Sequence, residues 1–253
     1  MLKNIIWVGA GVMVKLNDFS RLKNIFSRLN PIPRFRWKNH EEEIVTPPSS
    51  KQLLEYSIKK YPKFKNVILI AIYHLLNVKD QNIEHLTVLS KEFKLIADLV
   101  EGKYGEVPIP DNVKSEAKKE NIFITCHNHY YGAVIPSWSD FKNSICPNIP
   151  FTIIVSEGNI SILVNEFNNL DESALKSLKI DLKDYIEYVR FSFIVNNECE
   201  IHRLYELNLM EWEYKREYQI LFDRYVARSN LKFVNEFNLR MEKYNLYMIY
   251  INV

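Results

Sequence analysis

Apolar positions along this chain follow two rhythms, one of about 3.6 residues and one of two, and from residue 51 onward they come densely. "SKQLLEYSIKKY" opens on serine and repeats apolar residues at helical spacing, which predicts an N-capped helix. "VILIAIYHLL" is an unbroken apolar run whose pattern fits a buried helix or a buried strand. "EHLTVLS" and "FKLIADLVEG" are β-rich runs separated by the turn-like "KEF". "VPIPDNVKSEAKKEN" predicts an extended piece and then a helix from about Asp111. "IFITCHNH" reads as a buried strand, "SWSDFKNSI" as a helix, and "FTIIVSEG" and "ISILVNE" as two more strands. This order predicts an α/β (α+β) domain over residues 49–168, a mixed sheet flanked by helices.

The flanks differ from this centre. Residues 169–253 predict a mainly helical C-terminal extension. Its "LNLMEWEYKREYQILFDRYV" is a long amphipathic helix with Met210, Tyr214, Tyr218, Leu221 and Tyr225 on one core-facing stripe. The end, "NLYMIYINV", alternates like a strand that needs a partner. At the other terminus, residues 1–48 form an apolar and basic arm with a linker. Ile5 to Val14 is apolar, but this is half of the roughly 20 residues a membrane span needs. It reads as a buried strand or an ordered arm, and Gly9 and Gly11 lack the third glycine of a dinucleotide fingerprint. Lys15, Arg21, Lys23, Arg28, Arg34, Arg36 and Lys38 stand against one acid, Asp18, on a helical pattern that ends at "NPIP". Such a helix suits an anionic membrane or nucleic-acid surface, or its own domain with a solvated charged face; the second is the simpler reading. "NHEEEIVTPPSS" then reads as the linker.

Composition narrows the class. Hydrophobic residues at 47% and charged residues at 25% argue against global disorder, and a net charge of +2 is too small to imply nucleic acid by itself. Three cysteines without a CxxC pair fit a reducing, cytoplasmic setting.

The candidate chemistry lies in "HNHYYGAVIPSWSD", residues 127–140. On a strand, His127 and His129 leave the same face and can offer two nitrogens to one ion. Ser137 and Asp140 share a face of the next helix's first turn, and a loop that folds back lets Asp140 supply a third ligand. Three protein ligands and a water make a catalytic zinc site. The same S-x-x-D after proline is also a helix-start pattern, with Ser137 as the cap. Cys126, next to His127, should face the opposite side of the strand and belong to the core.

His127-Asn128-His129, seven residues, Ser137, two residues and Asp140 resembles the H-x-H-x(7)-S-x-x-D motif of JAMM (JAB/MPN) metalloproteases, and most closely the RadC-like and other prokaryotic JAB branches. Asn128, Gly132 and Pro136 extend the likeness, which covers roughly residues 80–165; Tyr130, where that family has proline, and Tyr131 depart from it and can narrow the groove. The resemblance implies that His127, His129 and Asp140 ligate Zn2+ and that Ser137 helps hold the oxyanion. It also implies an upstream glutamate as general base for a zinc-bound water. Glu84 matches that position, while Glu92, Glu101 and Glu106 compete from a turn or from beyond the second strand. The function expected is a zinc metallopeptidase or isopeptidase acting on a peptide or a ubiquitin-like protein conjugate. A non-catalytic JAB-like scaffold and a nucleic-acid-associated RadC-like protein are the alternatives.

Overall fold

The computed structural model describes residues 49–61, 63–78, 83–103, 107–119, 121–145, 148–165, 170–207 and 209–253, and the backbone of two strands before them. Those two, β1 (Ile5–Val8) and β2 (Val12–Lys15), form an antiparallel hairpin in which Ile5 pairs with Lys15 and Val8 with Val12. The basic helix and the linker expected between residues 16 and 48 lie outside the described residues.

Helix α1 (Ser50–Lys60) begins at a reciprocal cap: Ser49 Oγ accepts from the Gln52 amide and Gln52 Oε1 accepts from the Ser49 amide. The ambiguous apolar run is helix α2 (Phe64–Asn77), and a run of 14 residues is long for a strand. Phe64, Val67, Ile68, Ile70, Ala71 and Ile72 bury their side chains, so α2 is apolar on nearly every side.

Six strands make one sheet in the order β4-β3-β5-β6-β7-β8. Their ranges are β3 (His85–Ser90), β4 (Leu95–Glu101), β5 (Ile122–Asn128), β6 (Phe151–Ser156), β7 (Asn159–Asn165) and β8 (Leu246–Asn252). Only β5 and β6 run parallel; the other neighbours are antiparallel. A parallel pair needs a crossover. The crossover here carries α4 (Trp138–Ile145) from the C-terminal end of β5 back to the start of β6. The β6–β7 hairpin turns tightly at Glu157 and Gly158, which both have positive φ, 34° and 82°, the conformation that two-residue hairpins require.

Helices cover both faces of the sheet. On one side α1 and α2 pack on Cys126, Phe151, Ile153, Val155, Ile162 and Ile249. On the other lie α3 (Asp111–Lys118), α4, α5 (Glu172–Asn196) and α7 (Glu211–Met241), with α6 (Glu198–Glu206) between the last two. With both faces covered, β6 is buried along its whole length and β7 from Ile160 on, which explains why neither alternates in sequence. This is the α/β (α+β) architecture expected, a mixed sheet flanked by helices.

The C-terminal segment contributes to the sheet as well as to its cover. β8 pairs with β7 from Asn165–Leu246 to Asn159–Asn252. Asn238 of α7 donates from Nδ2 to the Met248 carbonyl at 2.9 Å and accepts the Met248 amide at 2.7 Å, which ties helix to strand. Phe237 of α7 stacks on Phe141 of α4 at 5.5 Å and meets Tyr185 of α5 edge-on at 5.2 Å, all three fully buried. Replacing Phe237 by alanine should therefore cost about 3–5 kcal/mol of stability in chemical unfolding of the full chain. A loss below about 1 kcal/mol would show that α7 is not part of the cooperative core. Among the described residues, no helix is long and apolar enough to cross a membrane.

Candidate metal centre

β5 ends at Asn128, and His129 follows with its amide donating to the Val155 carbonyl at the end of β6. The two histidines thus sit at the carboxyl end of a parallel strand pair, the place where α/β sheets open a crevice. Chain direction then reverses through Tyr131 and Gly132, both at positive φ, 51° and 78°. Gly132 has a second constraint besides its φ: a Cβ there would stand 3.3 Å from Ala227 Cβ and 3.3 Å from Asn159 Nδ2. Asn230 of α7 fastens this loop by donating to the Gly132 carbonyl at 2.8 Å and accepting the Val134 amide at 3.3 Å. The loop delivers Pro136 and Ser137 to the start of α4, which returns Asp140 to the end of β5.

The result is a triangle of donors. His127 Nε2 lies 3.1 Å from His129 Nε2, and Asp140 reaches His127 Nε2 at 3.2 Å with one oxygen and His129 Nε2 at 3.4 Å with the other. Donor atoms at about 2.0–2.1 Å from an ion and at tetrahedral angles stand about 3.3 Å apart. The spacing fits, and the three residues can hold a metal ion. The charges agree with it. Burial alone would raise the Asp140 pKa, but His127 and His129 hold it well below the carboxylate range. Burial alone would lower that of His129; Asp140, with Glu84 and Asp223 beyond, reverses the sign.

Capping and ligation prove compatible. Ser137 Oγ accepts the Asp140 amide at 3.2 Å, and Asp140 Oδ2 accepts the Ser137 amide at 2.7 Å, so the aspartate that faces the imidazoles also closes the helix start. Cys126 is fully buried on the α1–α2 side, as strand alternation requires, and burial pushes its thiol pKa well up.

Glu84 immediately precedes β3, which pairs antiparallel with β5 at Leu86–His127. Extending that register by two residues sets Glu84 opposite His129, on the face that carries both imidazoles. Its backbone is fixed on the other side by Lys103 and Gly102. Asn128, between the two histidines, points to the reverse face and clamps both neighbours of Glu84: its Oδ1 accepts the His85 amide at 2.7 Å and its Nδ2 donates to the Ile83 carbonyl at 2.9 Å. Of the competing glutamates, Glu92 sits in the β3–β4 turn accepting from Ser90 Oγ, and Glu101 is exposed at the end of β4. Glu106 lies outside the described residues.

A cavity of 1210 Å³ opens over the triangle, lined by Glu84, His127, His129, Ser137 and Asp140 and walled by α3, α5 and α7. Tyr130 is part of that wall, its hydroxyl donating to the Lys103 carbonyl, while Tyr131 lies under the Arg224 guanidinium. Two groups near the site carried no mark in the sequence. His74 of α2 is fully buried behind it, bonded through Nδ1 to Thr87 Oγ1 at 3.0 Å. Burial first, and the nearby His127 second, push its pKa down to about 3, so it stays neutral. Asp223 of α7 lies on the cavity wall, and in sequence it is one acid among many on a charged helix. Compared with protein-family models, curated proteins and solved structures, the chain matches none.

Proposed function

We propose that this protein is a zinc-dependent hydrolase of amide bonds, of the JAMM type, acting on a peptide or on the isopeptide link of a ubiquitin-like conjugate. The observation that carries the reading is the donor triangle at the floor of an open cavity, with the Glu84 carboxylate across the β3–β5 pair from it. His127, His129 and Asp140 would hold the ion. Bound there, zinc supplies Lewis acidity, polarising a carbonyl and making a water easier to deprotonate. The remaining work falls to the chain's own groups. Glu84 takes the proton of the attacking water and returns it to the amide nitrogen as the C–N bond breaks. Ser137 Oγ uses a lone pair in the helix cap, which leaves its hydroxyl hydrogen to donate to the carbonyl oxygen as that oxygen gains charge. Asn128 keeps Glu84 in place through the backbone on either side of it. With Cys126 and Cys199 as free thiols, the reading places this activity in the cytoplasm.

The test is hydrolysis of a panel of isopeptide-linked and linear peptides by the purified protein. Chelation should abolish cleavage and one equivalent of zinc should restore it. Cleavage that survives complete metal removal would end the proposal.

A further inference from the structure

Asp223 is out of keeping with the wall it belongs to. The residue is only 8% exposed. Gln219, one turn earlier on α7, donates to Oδ1 at 2.8 Å and so fixes the carboxylate. The other oxygen, Oδ2, is buried and has no hydrogen-bond partner among the described residues. A buried acceptor left unpaired destabilises a protein, and a buried carboxylate more than most. The strain shows in its acidity: burial, with Glu84 adding to it, raises the Asp223 pKa to about 6. Nor does a lysine or arginine among those that line the same cavity answer it. Lys114 pairs with Asp111 at 3.0 Å and Arg190 with Glu187 at 3.0 Å, both on their own helices. Asp223 acts electrostatically on His129 and Glu84, so the unanswered charge belongs to the same chamber as the donor triangle.

We infer that the Asp223 carboxylate, held in position by Gln219 on the cavity wall, anchors a subsite for a cationic nitrogen of the substrate, an ammonium or amine group carried close to the scissile amide. The inference rests on the metal-hydrolase reading and extends it to substrate class. A primary ammonium brings both the donor and the charge that Oδ2 lacks, and a hydrogen bond between charged groups is the stronger kind. A substrate with a methyl group there would leave the carboxylate buried and unpaired, so the pocket selects against it as well as for the amine.

The test uses the full chain loaded with zinc and two series of small hydroxamates, which seek the metal. One series ends in a primary amine, the other in a methyl group, at matched chain lengths. At the length that spans from the triangle to Asp223, the amine member should bind about 10–100-fold more tightly than its methyl counterpart, as expected for one charged hydrogen bond. Asp223→Asn keeps the acceptor that Gln219 uses and should erase that difference, weakening the amine series while zinc content stays unchanged. The same variant should melt at or above the wild-type temperature, because an unpaired buried charge has been removed. An Asp223 retained for folding would instead lose stability on this change. Equal binding of the two series by the wild-type protein at every length, or a preference that persists in Asp223→Asn, overturns the subsite and leaves the metal site standing. Failure of both series to bind overturns the metal reading, and the subsite with it.

Discussion

Asp140→Asn should strip the centre of its metal while leaving the helix that carries it in place. The asparagine retains an oxygen to accept the Ser137 amide, so the start of α4 stays capped. What it loses is the negative charge that faces both imidazoles at 3.2 and 3.4 Å. Groups that only hydrogen-bond to a metal's ligands are already worth about 10–100-fold in affinity, and a direct ligand should be worth more. Zinc bound per chain, measured by elemental analysis after dialysis, should fall from near one to a small fraction, with an unchanged circular dichroism spectrum. The pH dependence carries a sign of its own. Protons compete with the metal for the imidazoles. The His129 pKa stands above its ordinary value in the metal-free protein, against the pull of burial, chiefly because of Asp140. Zinc uptake by the wild type should therefore weaken as the pH falls through that raised value. Undiminished zinc in Asp140→Asn at neutral pH would mean that the triangle is an ion-pair cluster with no ligand role.

Glu84→Gln should separate binding from chemistry. The glutamate does not belong to the donor triangle, so zinc content should remain near one per chain and the melting temperature close to wild type. Hydrolysis should fall by about 10²–10⁴-fold, the usual worth of a positioned general base, and the loss should appear in kcat more than in KM. Asn128→Ala offers an independent check on the same geometry. It frees the backbone on both sides of Glu84 without touching a donor, so it should reduce kcat while zinc stays bound. Full activity in Glu84→Gln with a dead Glu101→Gln would move the base to the end of β4, where Glu101 pairs with His85. If no glutamate substitution changes a measured activity, the metal has a structural role and the cavity is a binding groove.

The strands and helices of the sheet region were legible because their signals are local. β5, β6 and β7 are short apolar runs bounded by turn residues, and α3 and α4 start where proline and acidic residues predict. The apolar run at α2 was ambiguous for a physical reason: a helix buried on most sides and a strand buried on both faces look alike in composition, and only packing against the sheet separates them. The alternation of "NLYMIYINV" announced a strand but not its neighbour, because pairing β8 with β7 joins segments far apart in the chain. Helix α5 carries no motif, and its role became visible only where Tyr185 meets Phe141 and Phe237.

The candidate site divides along the same line. Spacing put His127 and His129 on one strand face and Ser137 and Asp140 on one helix turn, while the joining of Asp140 to the histidines was expected from the likeness and from a loop that folds back, which Asn230 of α7 holds in place. Glu84 could be named only from the resemblance, and its position opposite His129 depends on the register between β3 and β5. Asn128 as a clamp, Asn230 as the fastening of the loop, and Asp223 on the cavity wall were decided by tertiary structure alone. Periodicities, caps and the spacing of the donor motif could be read along the chain because they depend on near neighbours along the backbone. Which carboxylate on α7 faces the cavity, and which oxygen of it goes unpaired, follows from how a long helix is rotated against the sheet. That rotation is set by the summed burial of Phe233, Phe237 and Met241 against α4, α5 and β8, and no stretch of residues carries it alone.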